Sequence, residues 1–452
     1  ASETADTFIR KLASTPATRT LLGAEHFEFL MKSWARSRQK DFLERCESAF
    51  QLMKKLSISD PNLVPNERHY ASIVSALGWS SQRRKSPNIA RRLIAVLNEM
   101  KTDGLRPSAD DFMAVLSALP YLESQKAALA AERILETLEN EYAEEITSIA
   151  YAKVVSAWAR SGHADSTGRC ETIISRNLAM FGKSGAKPNL MPSCEAYRGL
   201  IETIADSKNS DAGTRAEDVL NRMEDGAAKG MCEPPDEHTY STVMNAYFNS
   251  DFTDDDAKAQ SAGRVFKRME NAFKRGQRNA RPNATSYNNF LKMVARTTLP
   301  DKAIVAWNIY KDMRDRFRKG DLTVRPDAYT TSSVLNACVH TYNADENTRE
   351  KLVSIALSVL KDTTGQHDRR GRPMLDPQCY IAIFRIIHQD LPNAEEAERV
   401  AADVFEQCCQ AGLVTGNVIL EIEKRFKTLR RMLPRDAGGK VDLPPQWGQN
   451  VR

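Results

Sequence analysis

Thr239-Tyr240-Ser241-Thr242-Val243-Met244-Asn245-Ala246, followed by Ala262 to Met269 and then by Pro282-Asn283-Ala284-Thr285-Ser286-Tyr287-Asn288, is the stretch that decides the fold. Tyr240, Val243 and Met244 are spaced i, i+3, i+4, which puts them on one stripe of a helix. Ala246 then supplies a small residue that lets a neighbouring helix approach closely. Ala262, Val265, Phe266 and Met269 make a second helical stripe. Pro282 cannot continue the preceding helix, and Asn283 stands just before the next one, where Tyr287, Phe290 and Leu291 restart the pattern.

Working outward, the first stripe recurs nine times: Phe27-Leu30-Met31, Tyr70-Ile73-Val74, Phe112-Val115-Leu116, Tyr151-Val154-Val155, Tyr197-Leu200-Ile201, Tyr240-Val243-Met244, Tyr287-Phe290-Leu291, Thr331-Val334-Leu335 and Tyr380-Ile383-Phe384. Only Thr331 breaks the aromatic rule. The second stripe recurs as Cys46-Ala49-Phe50-Met53, Ala90-Leu93-Ile94-Leu97, Ala131-Ile134-Leu135-Leu138, Ala216-Val219-Leu220-Met223, Ala303-Ala306-Trp307-Tyr310 and Ala401-Val404-Phe405-Cys408, with weaker copies near Cys170 and Ile355. Each unit is thus two amphipathic helices that cannot bury their stripes without a neighbour, which drives stacking. The expected fold is all-α, a right-handed α-α superhelical solenoid of about nine degenerate helix-turn-helix repeats.

The expected units are 24–66, 67–108, 109–147, 148–193, 194–236, 237–283, 284–327, 328–376 and 377–415, between an N-terminal extension at 1–23 and a capping helix with an irregular tail at 416–452. Nine units over 24–415 average about 44 residues, against about 33 to 35 for short helical-pair repeats. The spacing assigns the excess to loops at 78–88, 182–191, 249–258, 274–280 and 363–375. A basic capping helix is expected over Glu421 to Arg431.

Composition narrows the function. The chain of 452 residues has a net charge of +5, 41% hydrophobic residues and eight cysteines, none spaced as a zinc site. No apolar run reaches the roughly 18 residues of a membrane span, and a polycation that coats any nucleic acid is excluded. The cysteines read as reduced, mostly core-facing thiols. The chain begins Ala1-Ser2-Glu3-Thr4, compatible with a leader removed ahead of it.

The Tyr240 and Tyr287 strings, with Pro-Asn and Pro-Asp unit endings such as Pro282-Asn283 and Pro326-Asp327, resemble the pentatricopeptide repeat family over residues 24 to 415. That resemblance implies single-stranded RNA binding in a mitochondrion or plastid, in transcript processing, stability or translation, with first helices lining the groove and one base read per repeat. By family logic the readers are the residue after the aromatic and the residue after the closing proline. Here these are Ser241 with Asn283, Asn288 with Asp327, and Ser332 with Asp376, spelling adenine, uracil, guanine. Short polar side chains there can hydrogen-bond a base edge. Six other pairs, such as Glu28 with Asn66 and Arg198 with Asp236, give no letter. The position two before the aromatic, an aliphatic in the family, is Glu25, Arg68, Asp110, Glu195 and His238 in five units. Three letters recur about every 64 nucleotides, too few to select one transcript.

Phosphate contacts are expected from Arg36, Arg160, Arg296 and His340, near the C-terminal ends of groove-lining helices. The same position holds Trp79, Tyr121, Asp206, Asn249 and Gln389 elsewhere. Basic runs at Arg264 to Arg281 and Lys311 to Arg325 read either as phosphate contacts or as solvated outer faces. No catalytic set is found, so no enzyme activity, metal or cofactor is expected. His26-Phe27-Glu28 lacks the Pro-Cys-x-x-Cys of a zinc deaminase, Asp254-Asp255-Asp256 reads as a loop or helix cap, and Gly438-Gly439-Lys440 lacks the strand and helix of a phosphate loop. Two functions follow: an RNA-binding repeat protein, or a protein-protein scaffold subunit of an organellar ribosome or another large assembly.

Overall fold

The computed structural model describes residues 2–37, 39–84, 86–341, 345–367, 373–436 and 441–451, and these form 22 α-helices. Nine helix pairs run through the chain: α3 (Ala24–Arg36) with α4 (Phe42–Ser57), α5 (Glu67–Arg84) with α6 (Pro87–Thr102), α7 (Ala109–Ala118) with α8 (Gln125–Glu141), and α9 (Ser148–Ala159) with α10 (Ser166–Lys183). Then come α11 (Cys194–Asp206) with α12 (Ala212–Ala228), α13 (Glu237–Asn249) with α14 (Asp255–Lys274), α15 (Ala284–Val294) with α16 (Lys302–Arg318), α17 (Ala328–Val339) with α18 (Glu346–Thr363), and α19 (Pro377–Asp390) with α20 (Ala394–Gln410). Ahead of them stand α1 (Ser2–Ala13) and α2 (Pro16–Arg19). After them come α21 (Gly416–Arg425) and α22 (Lys427–Met432).

The chain divides into two compact units, Ala1–Thr203 with Met223–Pro234, and Ile204–Arg222 with Pro235–Arg452. In the first, α3, α5, α7 and α9 stack side by side; in the second, α13, α15, α17, α19 and α21 do the same. The nine first-stripe residues from Phe27 to Tyr380, Thr331 included, are all buried. Each large apolar side chain so buried contributes roughly 1.5–3 kcal/mol. Second stripes close on the next pair: Phe50 of α4 meets Tyr70 of α5 edge-on at 5.0 Å, and Phe266 of α14 meets Tyr287 of α15 at 4.9 Å. Where cysteine opens the second stripe, its thiol donates to the first helix, Cys46 to the Met31 carbonyl and Cys170 to that of Val155.

The polar residues that close units are helix N-caps. Asp236, Asn283, Asp327, Asp376 and Thr415 each accept a backbone N–H from the first turn of the following helix, which satisfies donors the helix cannot.

The N-terminal extension holds α1 and α2: α1 packs on α3, with Ser2 Oγ 2.6 Å from Ser33 Oγ, and its buried Asp6 accepts from Arg10 at 2.8 Å. Some expected loops and the expected capping helix differ. The excess length lies partly in helices rather than loops. The expected loop at 78–88 is helical through Arg84, and the second helices run 16 to 20 residues. Short 310 turns at Pro188–Leu190 and Arg278–Ala280 bury Leu190 and Ala280 within two other expected loops. Of the loop at 363–375, residues 368–372 lie outside the described residues. The capping segment is two helices, broken where Phe426 turns extended and packs on Phe384 at 5.9 Å. The tail beyond it docks on the α20–α21 turn: the Val414 N–H donates to the Trp447 carbonyl at 2.8 Å, and Trp447 meets Phe405 edge-on.

Candidate nucleic-acid interface

Each first helix buries its stripe against its neighbours, so the opposite face carries what the layer offers to a ligand. Counted from the stripe aromatic, that face comprises the residues at −2, +1 or +2, +5 and +9. The +9 row holds Arg36, Arg160, Arg296 and His340, all exposed. Arg160 lies over the Tyr121 ring at 5.7 Å, and Arg36 makes no side-chain hydrogen bond or ion pair among the described residues. Burial, with Lys302 and Arg385 nearby, holds the His340 imidazole below its ordinary value, which favours the neutral ring at neutral pH.

One helical turn earlier, the +5 row adds cations that the sequence reading passed over: Lys32, Lys292 and Arg385. Lys32 is held by Glu28 at 2.5 Å, and Arg385 by Glu421 at 3.1 Å. Lys292 differs. Its ammonium lies 3.7 Å from the Phe248 ring centroid and the Arg296 guanidinium lies 4.6 Å from the same centroid. Neither has a carboxylate partner among the described residues. Partial burial and Arg296 hold the Lys292 ammonium below its usual range. Two like charges on one aromatic ring repel each other, and an anion between them removes that repulsion.

The expected base readers have partners within the protein. Ser241 Oγ donates to the buried Glu237 at 2.7 Å, and Asn283 caps α15 through Thr285 and Ser286 N–H. Asn288 and Asp327 come together: Asn288 Nδ2 donates to Asp327 Oδ1 at 3.1 Å, while Thr330 Oγ1 donates to Asn288 Oδ1 at 2.7 Å. Ser332 donates to the Tyr329 carbonyl, and Asp376 caps α19. At −2, Ile149 and Tyr329 are exposed apolar groups, 52% and 48%.

Several cations of the basic runs are held by ion pairs, some of them between consecutive second helices. Arg268 of α14 holds Glu217 of α12 at 2.9 Å, and Arg314 of α16 holds Asp362 of α18. Arg281 and Arg316 converge on Asp321, at 2.9 and 3.0 Å. The same ladder recurs as Arg92 with Glu47, Lys54 with Glu99, and Arg176 with Glu139.

Asp254 caps α14 through the Ala257 N–H, Asp255 pairs with Lys258, and Asp256 accepts from Thr298 N–H and Oγ1. His26 accepts the Gly23 N–H at the start of α3. Gly438-Gly439-Lys440 lies outside the described residues. Among the described residues no cluster of metal-ligating side chains occurs, and no helix is long and apolar enough to cross a membrane. All eight cysteines are free thiols, six of them buried.

Stacked helix pairs with capped turns and a polar, partly basic face of first helices define an α-α helical-repeat protein. Solved structures similar to this chain include those of the pentatricopeptide repeat protein PPR10. One, with three cysteine-to-serine changes and bound to an 18-nucleotide psaJ RNA element, matches at 16% identity and TM-score 0.39, covering 96% of this chain. Another RNA-bound form matches at 13% and 0.33 over 93%, and the protein from maize at 14% and 0.30 over 91%. The chain corresponds to 58% to 62% of the length of those structures. No family model and no curated protein matches it.

Proposed function

We propose that the protein binds single-stranded RNA along the exposed face of its first helices, mainly through phosphate contacts, with base discrimination confined to a few units. The observation that carries this reading is the Lys292 and Arg296 pair on Phe248, two adjacent cations without a carboxylate partner among the described residues; Arg36 and Arg160 hold the same position as Arg296 in their own first helices. Phosphates are the anions such spaced cations fit. The family likeness supports an organellar transcript, and a role in its processing, stability or translation, as the setting.

Base reading narrows to the seventh unit. Asn288 and Asp327 already share a hydrogen bond, and Asp327, the less buried of the two, keeps a second carboxylate oxygen for a base edge. In the sixth unit the Ser241 hydroxyl proton is donated to Glu237, so Ser241 offers a base only its oxygen lone pairs, and the donors of that pair are the Asn283 amide N–H groups. A scaffold role is the second reading. It is favoured by α11, whose +9 residue is the exposed carboxylate Asp206, which would repel phosphates.

Selection of the purified protein against a randomised single-stranded RNA pool tests the proposal, with Asn288→Ala and Ser241→Ala variants alongside. Enrichment of a word at one position that Asn288→Ala abolishes and Ser241→Ala retains is expected. Absence of any binding to the pool would leave the scaffold reading.

A further inference from the structure

The cleft between α3 and α5 departs from the rest of the row. Its +9 residue in α5 is Trp79, 66% exposed, where α3, α9 and α15 carry arginine. The cleft measures about 590 Å³, within the ~300–1,000 Å³ of small-ligand sites. Its lining includes Lys32, Arg36, Arg68 and Trp79 and, among the described residues, no carboxylate. Glu28, outside the lining, holds Lys32 and reaches Arg68 only at 3.9 Å, leaving Arg36 unneutralised.

We infer that this cleft is a nucleotide subsite, in which the Trp79 indole stacks one base of a bound single strand while Arg36 and Arg68 hold the adjoining phosphates. The inference rests on the RNA reading above and deepens it. A large exposed indole loses water-facing apolar surface when a base covers it, and every base has a face to offer, so the site is indifferent to sequence. The position that meets phosphate in α3, α9 and α15 meets a base here, and the phosphates pass to the cations on either side. Ser72 takes no part in reading the base, because its buried hydroxyl donates to the Arg68 carbonyl at 2.8 Å.

The test is fluorescence anisotropy of the full chain with a labelled mixed-sequence RNA of about 20 nucleotides across a salt series, for Trp79→Ala, Trp79→Phe and Arg36→Ala. Trp79→Ala is expected to weaken binding on the order of tenfold without changing the salt slope, since stacking releases no counterions. Trp79→Phe restores most of the loss, and Arg36→Ala flattens the slope. Wild-type affinity in Trp79→Ala, or a slope that changes with it, overturns the subsite while leaving RNA binding intact. A wild-type protein that binds no single strand overturns both readings.

Discussion

Asp321 allows a stability effect to be worked from the geometry. Its Oδ1 accepts from Thr323 N–H at 3.1 Å and Thr323 Oγ1 at 2.6 Å. The Arg281 guanidinium lies 2.9 Å from Oδ1, and that of Arg316 3.0 Å from Oδ2. Burial pushes the carboxyl up, but the hydrogen bonds from Thr323, Arg316 and Arg281 outweigh it and hold it at about 2, against an ordinary 3.8. The side chain is 14% exposed. A carboxylate with a depressed folded value contributes stability that is present above its unfolded value and lost as pH falls through the folded one. At about 1.4 kcal/mol per pH unit the shift corresponds to roughly 2.5 kcal/mol, which solvent screening reduces to about 1–2 kcal/mol. Asp321→Asn keeps the shape and leaves Arg281 and Arg316 facing each other without an anion. In urea denaturation at pH 7 the variant should lose about 1–2 kcal/mol, and the gap to wild type should close as pH falls from about 4 to about 2. Hydrogen exchange should place the loss at the α16–α17 turn, because solenoid stability is a sum of local terms. Equal stability at pH 7, or a gap unchanged at low pH, would refute this reasoning.

Two further outcomes follow from packing. A Cβ at Gly213 would lie 2.1 Å from the Tyr247 ring, so Gly213→Ala should cost about 1–3 kcal/mol; an unchanged urea midpoint would mean the ring moves aside freely. Arg314→Met removes the latch to Asp362 and should lower stability while leaving RNA affinity within about twofold, since that arginine is engaged on the second-helix side. A marked loss of RNA affinity with unchanged stability would return the Lys311 to Arg325 run to the phosphate contacts.

Much of the architecture was legible because every repeat states its stripe in side chains that have one buried solution, as at Tyr240-Val243-Met244. The spacing failed where the stripe stops: the Gly78 to Arg84 segment carries no further triplet yet continues α5. The +9 row was readable as a fixed offset from the aromatic, and the +5 row lay four residues upstream on the same face, where Lys292 offered the signal. Phe248 was not readable as part of that site, because its place under Lys292 and Arg296 depends on how α13 and α15 lie together. The fate of the basic runs was hidden for the same reason: Arg314 and Arg268 find their partners 48 and 51 residues away, one repeat along, beyond what local charge patterning conveys.

The central claim, that the first-helix face binds single-stranded RNA through its unpaired cations, is tested most directly by the salt dependence of RNA binding in wild type and in Lys292→Ala/Arg296→Ala. Loss of two phosphate contacts on a single strand should make the slope of log affinity against log salt shallower by about 1.4 and weaken binding on the order of tenfold at moderate salt. A variant with the wild-type slope and affinity would contradict the account and move the interface elsewhere on the molecule.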